Sequence, residues 1–219
     1  MYIQLNEVHP KNKIQLKQLI KYAFRHNIYD LNFIDTSKIT DMSYLFSYRD
    51  YYFDVSTCDV SNVTDMNHMF FECKNFIGKG LENWNVSNVT NMSNMFYSCK
   101  KFNCDLSNWD VSNVTTTFCM FNGCKKFNSN LSNWNMTNVK TAGYMFTGCE
   151  SFEGKGLENW DVSKIKDMHS MFYGCKKLNC DLSDWDVSFV SDFSWTFYRC
   201  DKMTIPKWYI RIMNDAKYN

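Results

Sequence analysis

The sequence has no excess of either charge and no long apolar run. It contains 24 Lys and Arg against 23 Asp and Glu, which gives a net charge of +1 at pH 7. Nucleic acids and anionic membrane surfaces normally bind proteins with a basic excess on one face, so we expect no nucleic-acid partner. A membrane span needs about 20 consecutive apolar residues, and no run approaches that length. Residues 1–19 lack the basic head, apolar stretch and cleavage site of a signal peptide.

Zinc-type and catalytic motifs are also missing. No CxxC pair occurs, and the four histidines are scattered through the sequence: His9, His26, His68 and His169. Structural zinc sites need Cys or His ligands at short, regular spacings. Nucleophilic catalysis needs a base within hydrogen-bond reach of a Ser or Cys, and no spacing forces such a pair together. We therefore predict no catalytic residue, no metal and no cofactor, and we expect that the protein is not an enzyme.

What the sequence does contain is a repeat of 25 or 26 residues. Its register is marked by a tryptophan before an Asp/Asn-Val-Ser-like step: Trp84, Trp109, Trp134, Trp160 and Trp185. A cysteine recurs three residues after the Phe of a Met-Phe or Thr-Phe pair: Cys73, Cys99, Cys124, Cys149, Cys175 and Cys200. Two degenerate units precede the first tryptophan, so about seven units cover residues 33–203. Such a repeat predicts an array in which each unit buries its apolar face on its neighbours.

The apolar spacing changes within one unit. From Phe102 to Val114 the apolar residues are two to four apart, which predicts a short strand and a corner. In the preceding unit, Met92 and Phe96 belong to a run with helical spacing, and Thr90 is placed to cap it. The predicted fold is an α/β solenoid, a leucine-rich-repeat-like array of short parallel strands and short helices. The segments GKGLENW make two units one residue longer and are expected to bulge the strand edge.

Both ends of such an array expose core and require caps. We predict an N-terminal capping helix in residues 1–32, the repeat solenoid in 33–203 and a C-terminal capping helix in 204–219. The first helix follows Pro10 and places five apolar residues on one face: Leu16, Leu19, Ile20, Ala23 and Phe24. The second follows Pro206 and carries Tyr209, Ile210 and Met213 along one face. These caps leave no room for a separate catalytic domain.

We interpret the cysteines and asparagines that recur at one repeat position, here called ladders, as structural residues. Cysteines at one repeat position would be close enough for disulfides, but their apolar neighbours favour buried, reduced thiols. Cys104 and Cys180 lie three units apart and are predicted to be free thiols near the strand surface. A ladder of asparagines is expected to bond backbone groups at the corners: Asn62, Asn88, Asn113 and Asn138.

Three sets of variable positions are candidates for partner binding. The first is a basic stripe after the ladder cysteines: Lys100, Lys101, Lys125, Lys126, Lys176 and Lys177. The second is a set of aromatic residues in the later units: Phe118, Tyr144 and Trp195. The third is the polar strand face, represented by Asn103, Asp105, Asn130 and Asp181. The alternatives are that the lysines are ordinary solvated turn residues and that the rings fill gaps where Thr117 and Ala142 replace methionine.

Several phrases resemble a known repeat family. DLSNWDVSNVT, MFYGCKKLNCDLSDWDVS and IDTSKITDMSYLF are similar to the bacterial surface-protein repeat of about 26 residues, in the BspA-like branch of leucine-rich repeats. The resemblance implies a non-enzymatic solenoid that is frequently on cell surfaces or secreted and sometimes has an adhesive role. The missing signal peptide leaves a cytoplasmic location open as well.

Two hypotheses for function follow. The first is a binding module that recognises a protein or a glycan through the strand face and the basic stripe. The alternative is a structural scaffold protein that associates with itself through an end or an edge. We expect a monomer with, at most, weak self-association, because capped ends disfavour open end-to-end stacking.

Overall fold

The computed structural model describes residues 7–215, and regular secondary structure is sparse in this range. Helix α1 spans Lys13–Arg25 and helix α2 spans Lys207–Asp215, with two short 3₁₀ helices at Leu81–Asn83 and Leu157–Asn159 between them. No strand is formed within the described residues. The prediction of an α/β solenoid with parallel strands and short helices is therefore wrong.

The repeats are instead stacked through isolated parallel β-bridges, one at each junction. The series runs through one position of every repeat: Asp41, Asp65, Asn91, Thr116, Thr141, Asp167 and Asp192. Each repeat thus lies directly on the next, although the pairing never extends into a strand.

Left-handed backbone conformations explain why neither strand nor helix forms. His68 and Glu72 both have a φ of 56°. Each is the third residue of a β-turn, closed by hydrogen bonds from Met69 N–H to the Met66 carbonyl and from Cys73 N–H to the Phe70 carbonyl. A positive φ at this position is the requirement of a type II turn, and it interrupts helices and strands alike.

Each of the other six units of the stack has left-handed residues at the same two positions. The pairs are Tyr44 and Tyr48, Asn94 and Ser98, Cys119 and Gly123, Tyr144 and Gly148, Ser170 and Gly174, and Trp195 and Arg199. Thr90, predicted as a helix cap, donates its backbone N–H to the Thr64 carbonyl of the preceding repeat at 2.9 Å. The predicted helical segment is therefore a pair of linked turns.

Alternate backbone N–H groups of these turns hold the stack together. They donate to carbonyls of the next repeat at 2.7–3.0 Å: Met66 to Asn91, His68 to Ser93, Phe70 to Met95 and Glu72 to Tyr97. The intervening N–H groups close the turns within the repeat. Buried backbone groups are thereby satisfied without a sheet.

The core consists of side-chain ladders along the stack axis. One phenylalanine from each central repeat is fully buried, and neighbouring rings are stacked with centroids 5.5–5.7 Å apart: Phe70, Phe96, Phe121, Phe146 and Phe172. Each buried tryptophan donates its indole N–H to a carbonyl of the preceding repeat, as Trp109 does to Leu81 at 2.8 Å. Trp208 of α2 makes the same bond to Leu182 at 2.8 Å, which seats this helix on the last repeat.

The cysteine and asparagine ladders also bond between repeats. Cys99 Sγ lies 2.9 Å from the Phe70 carbonyl, and the other ladder thiols make equivalent contacts. All ten cysteines are free thiols. The amide of Asn113 donates to the Ser87 carbonyl at 2.8 Å, as its ladder partners do one repeat apart. Cys104 is a free thiol as predicted, but it is buried and contacts Glu82 at 3.2 Å, so its predicted place near the surface is wrong.

The two terminal helices pack on the ends of the stack. The Asn12 side chain caps α1 by accepting a hydrogen bond from Gln15 N–H at 3.0 Å, and α1 buries Leu16, Ile20 and Ala23. In α2 Trp208 is buried, whereas Ile210, predicted on the packed face, is exposed. The predicted capping segments 1–32 and 204–219 include residues 1–6 and 216–219, which lie outside the described range.

The two GKGLENW segments form 3₁₀ turns and do not bulge a strand. Gly80 and Gly156, which precede these turns, have φ values of 91° and 90°. A Cβ on Gly156 would lie 2.2 Å from the Ser132 nitrogen. Only glycine allows the repeats to approach so closely at this point.

Candidate functional site

The turn-forming side of the stack carries a series of aromatic side chains, here called the aromatic edge. They come from four neighbouring positions of the linked turns. The members are Tyr44, Tyr48, His68, Phe71, Tyr97, Phe118, Tyr144, His169, Tyr173, Trp195 and Tyr198. All are exposed or half-buried.

Rings of the first repeats contact one another across the repeat junctions. Tyr44 stacks on His68 with centroids 4.4 Å apart, and His68 contacts Phe71 at 4.9 Å. Phe71 in turn stacks on Tyr97 at 4.7 Å and meets Tyr48 edge to face at 5.4 Å. The aromatic edge is therefore continuous from the first repeat to the third.

The predicted aromatic residues are brought together only in part. Phe118 meets Tyr144 edge to face at 5.8 Å, and Tyr144 contacts the ring of His169 at 4.8 Å. Trp195 lies two repeats beyond Tyr144 and packs edge to face on Tyr198 at 5.0 Å. The edge therefore has separate clusters in its middle and at its C-terminal end.

Phe118 and Trp195 lie at the surface, and Tyr144 is half-buried. Phe118 is 36% exposed and Trp195 is 55% exposed, whereas Thr117 and Ala142 are completely buried. Tyr and Trp are enriched in protein interfaces, where a ring supplies contact area and a polar tip stays hydrated.

Sequence reasoning missed most members of the aromatic edge. One missed position is the residue after each core phenylalanine, which reads Ser47, Phe71, Tyr97, Asn122, Thr147, Tyr173 and Tyr198. An aromatic residue in four of these seven positions was a signal that alignment of the repeats already contained. It was overlooked because the segment was assigned to a helix.

The lysines of the basic stripe are all exposed, but two of them are paired. Glu150 accepts from Lys125 at 2.8 Å and from Lys176 at 3.2 Å. These hydrogen bonds, led by that of Lys125, lower the pKa of Glu150. Lys100, Lys101, Lys126 and Lys177 have no such carboxylate partner within residues 7–215. The freely available positive charge therefore lies on either side of the Glu150 repeat.

The predicted polar face is largely committed to turn hydrogen bonds. Asn103 Oδ1 accepts from the Asn128 N–H at 2.9 Å. The other three residues accept from the N–H of a serine two positions later at 2.9–3.0 Å: Asp105, Asn130 and Asp181. The backbone hydrogen bond from Ser107 is the main cause of the lowered pKa of Asp105. These side chains hold corners in place, which is a structural role.

One cluster of potential metal ligands lies near the N-terminal end. Single ligand atoms of Glu7, His9 and Asp35 lie within 4.8 Å of one another. The contact between His9 Nδ1 and Asp35 Oδ2 is 2.7 Å, and the hydrogen bond from His9 is the main cause of the lowered pKa of Asp35. The cluster is a hydrogen-bonded histidine and aspartate at the surface, flanked by one more carboxylate, and such exposed groups are common without an ion.

Neither α1 nor α2 could cross a lipid bilayer, and the rest of residues 7–215 contains no other helix of sufficient length and apolarity.

A protein-family model matches three overlapping segments, residues 14–77, 49–156 and 143–218, which together cover most of the chain. Searches among curated proteins and among solved structures gave no match. The chain therefore belongs to the family described as "Mycoplasma protein of unknown function, DUF285".

Proposed function

We propose that the chain is a non-enzymatic binding module that holds a protein or glycan partner along its aromatic edge. The observation that carries this proposal is the run of exposed ring contacts from Tyr44 to Tyr97, with further clusters at Phe118 and Trp195. Rings on a regular frame offer flat apolar contact area at a fixed spacing, which suits an extended partner.

The backbone at several of these rings argues that they serve a purpose other than folding. Tyr44, Tyr144 and Trp195 occupy left-handed positions, where a side chain costs roughly 1–2 kcal/mol relative to the right-handed region. Asn94 occupies the same position in another repeat and is better suited to this conformation. Large rings at strained surface positions are therefore better explained by contact with a partner than by stability.

The basic stripe supports the same proposal. Lys100 follows Tyr97 by three residues, so the stripe begins close to the aromatic edge along the chain. Its free lysines add attraction for acidic groups on a protein or a glycan. The resemblance to a bacterial surface-protein repeat with adhesive members also favours a binding role.

A triple variant tests the proposal against a control ring that is exposed but does not belong to the aromatic edge. Phe71→Ser, Tyr97→Ser and Trp195→Ser together interrupt both the continuous run and the C-terminal cluster, and they should weaken binding to members of an immobilised glycan and surface-protein panel at least 10-fold. Phe189→Ser removes a ring that is 68% exposed and is not a member of the aromatic edge, and it should leave binding unchanged. Equal binding by the triple variant and the parent chain would reject the aromatic edge as the binding surface.

Sedimentation of the same proteins separates the scaffold hypothesis from this one. A binding module should sediment as a monomer over a wide concentration range. If the parent chain associates with itself and the triple variant does not, the edge serves self-assembly, and the binding-module proposal is wrong.

A further inference from the structure

A groove lies between α1 and the first repeat, at the N-terminal end of the aromatic edge. Its volume is about 580 Å³, within the range of small-ligand sites. One wall is formed by α1 residues that include Lys17, Lys21 and Arg25. The facing wall includes Tyr44 and Arg49 of the first repeat.

The groove concentrates positive charge without compensation. Lys17, Lys21 and Arg25 are spaced four residues apart and share one face of α1, where like charges destabilise a helix. Lys13 continues this row but is paired with Asp41 at 2.8 Å. No carboxylate lines the groove, and none of residues 7–215 forms an ion pair with the other three or with Arg49. For a chain with a net charge of +1, four free cations in one groove are a marked asymmetry.

Arg49 also lines the groove and forms no ion pair with any of residues 7–215. Its Nε is buried and has no hydrogen-bond partner, alone among the buried side-chain nitrogens and oxygens of the described residues. The guanidinium lies over the Phe24 ring, with Cζ 5.3 Å from the ring centroid, so its plane is held in place. A guanidinium presents a rigid fork of donors that matches the oxygens of phosphate and sulfate.

Aromatic rings complete the site. Tyr51 meets Phe24 edge to face at 5.2 Å, and Tyr44 is 48% exposed while its ring is braced on His68. Such fixed ring faces can stack on a sugar or a planar base. The walls therefore combine cations for an anionic group with flat surfaces for a ring.

We propose that this groove binds a small ligand that carries phosphate or sulfate groups on a ring-bearing scaffold. Arg49 holds one anionic group through its fork, and Lys17, Lys21 and Arg25 neutralise the remaining charge. Tyr44 and Tyr51 contact the ring. The site goes beyond the proposed partner binding, because it would operate even if the aromatic edge bound nothing.

Calorimetric titration of the full chain with inorganic pyrophosphate, ADP and a disulfated disaccharide tests the proposal. At least one of these probes should bind, and Arg49→Met and Lys21→Met should each weaken its binding at least 10-fold. ADP binding more tightly than pyrophosphate would identify a phosphorylated ring ligand, and preference for the disaccharide would identify a sulfated one. Lys140→Met removes an exposed charge outside both the groove and the basic stripe and should change affinity less than twofold.

Thermal unfolding of the Arg49→Met variant separates a ligand site from a structural arginine. The variant keeps an apolar stem against Phe24 and removes a buried donor without a partner, so its melting temperature should be unchanged or higher. The proposal is overturned if none of the probes binds, or if Lys140→Met weakens binding as much as Lys21→Met. It is also overturned if Arg49→Met unfolds at a lower temperature yet binds normally.

Discussion

Alanine substitutions at two glycines measure how closely the repeats approach. Gly148 and Gly156 both have a left-handed backbone, with φ values of 69° and 90°. A Cβ at Gly148 would lie 3.8 Å from the nearest atom, the Gly123 Cα, which is an ordinary contact. A Cβ at Gly156 would lie 2.2 Å from the nitrogen and 2.4 Å from the Cα of Ser132, so the backbone would have to move.

These distances give different expected losses of stability. At Gly148 the left-handed conformation costs roughly 1–2 kcal/mol, offset by about 0.4–1 kcal/mol of reduced freedom in the unfolded chain. Gly148→Ala should therefore lower the free energy of unfolding by about 1 kcal/mol. At Gly156 overpacking adds roughly 1–3 kcal/mol, for a total of about 3 kcal/mol. For a chain of this size each kcal/mol lowers the melting temperature by about 2–4 °C.

Urea unfolding followed by tryptophan fluorescence and circular dichroism would measure both losses. Gly174→Ala is a matched control, because its φ is 72° and its added Cβ would be 3.9 Å from the Gly148 Cα. It should behave like Gly148→Ala. Equal losses for Gly148→Ala and Gly156→Ala would refute the close approach of Gly156 to the preceding repeat.

Three other predictions concern acid stability, thiol reactivity and the core. Hydrogen bonds from the hydroxyl and N–H of Ser112 lower the pKa of Asp110 in the folded chain. Their contribution to the free energy of unfolding is therefore present above the ordinary pKa of aspartate and is lost as pH falls below about 4. Asp110→Asn should therefore reduce the loss of melting temperature between pH 5 and pH 3. Burial raises the pKa of Cys73 to about 12, so its alkylation at neutral pH should be slow in the folded chain, and all ten cysteines should react in denaturant without reductant. Trp109→Phe leaves the Leu81 carbonyl without its indole donor and should cost about 2 kcal/mol in urea unfolding, whereas no loss would contradict the buried bond.

The repeat register and the identity of the core ladders were predictable, but the local backbone was not. Met92, Met95 and Phe96 follow one another with the spacing of one helix face. Two linked type II turns bury residues at the same spacing, so the pattern fits both structures. Tyr, Trp and Cys are unusual in a left-handed conformation, so their presence at these positions did not indicate the turns. The residues that do indicate left-handed turns are three glycines that share the second left-handed position in later units: Gly123, Gly148 and Gly174.

The candidate sites were predictable only where the repeat itself displays them. Phe118, Tyr144 and Trp195 stood out because they differ from equivalent residues of other units. The groove was missed because its walls come from α1 and from the Tyr44–Tyr51 segment, which are far apart in sequence and have no shared period. The balanced net charge also concealed the local concentration of lysine and arginine.

The central claim is that linked turns stack the repeats and present the aromatic edge on their outer side. Backbone NMR over residues 66–73 tests this claim most directly, through φ-dependent couplings and amide contacts. The structure predicts a positive φ at His68 and Glu72, with the His68 amide close to Ser93 of the next repeat. Negative φ throughout, with sequential amide contacts of a helix, would contradict it.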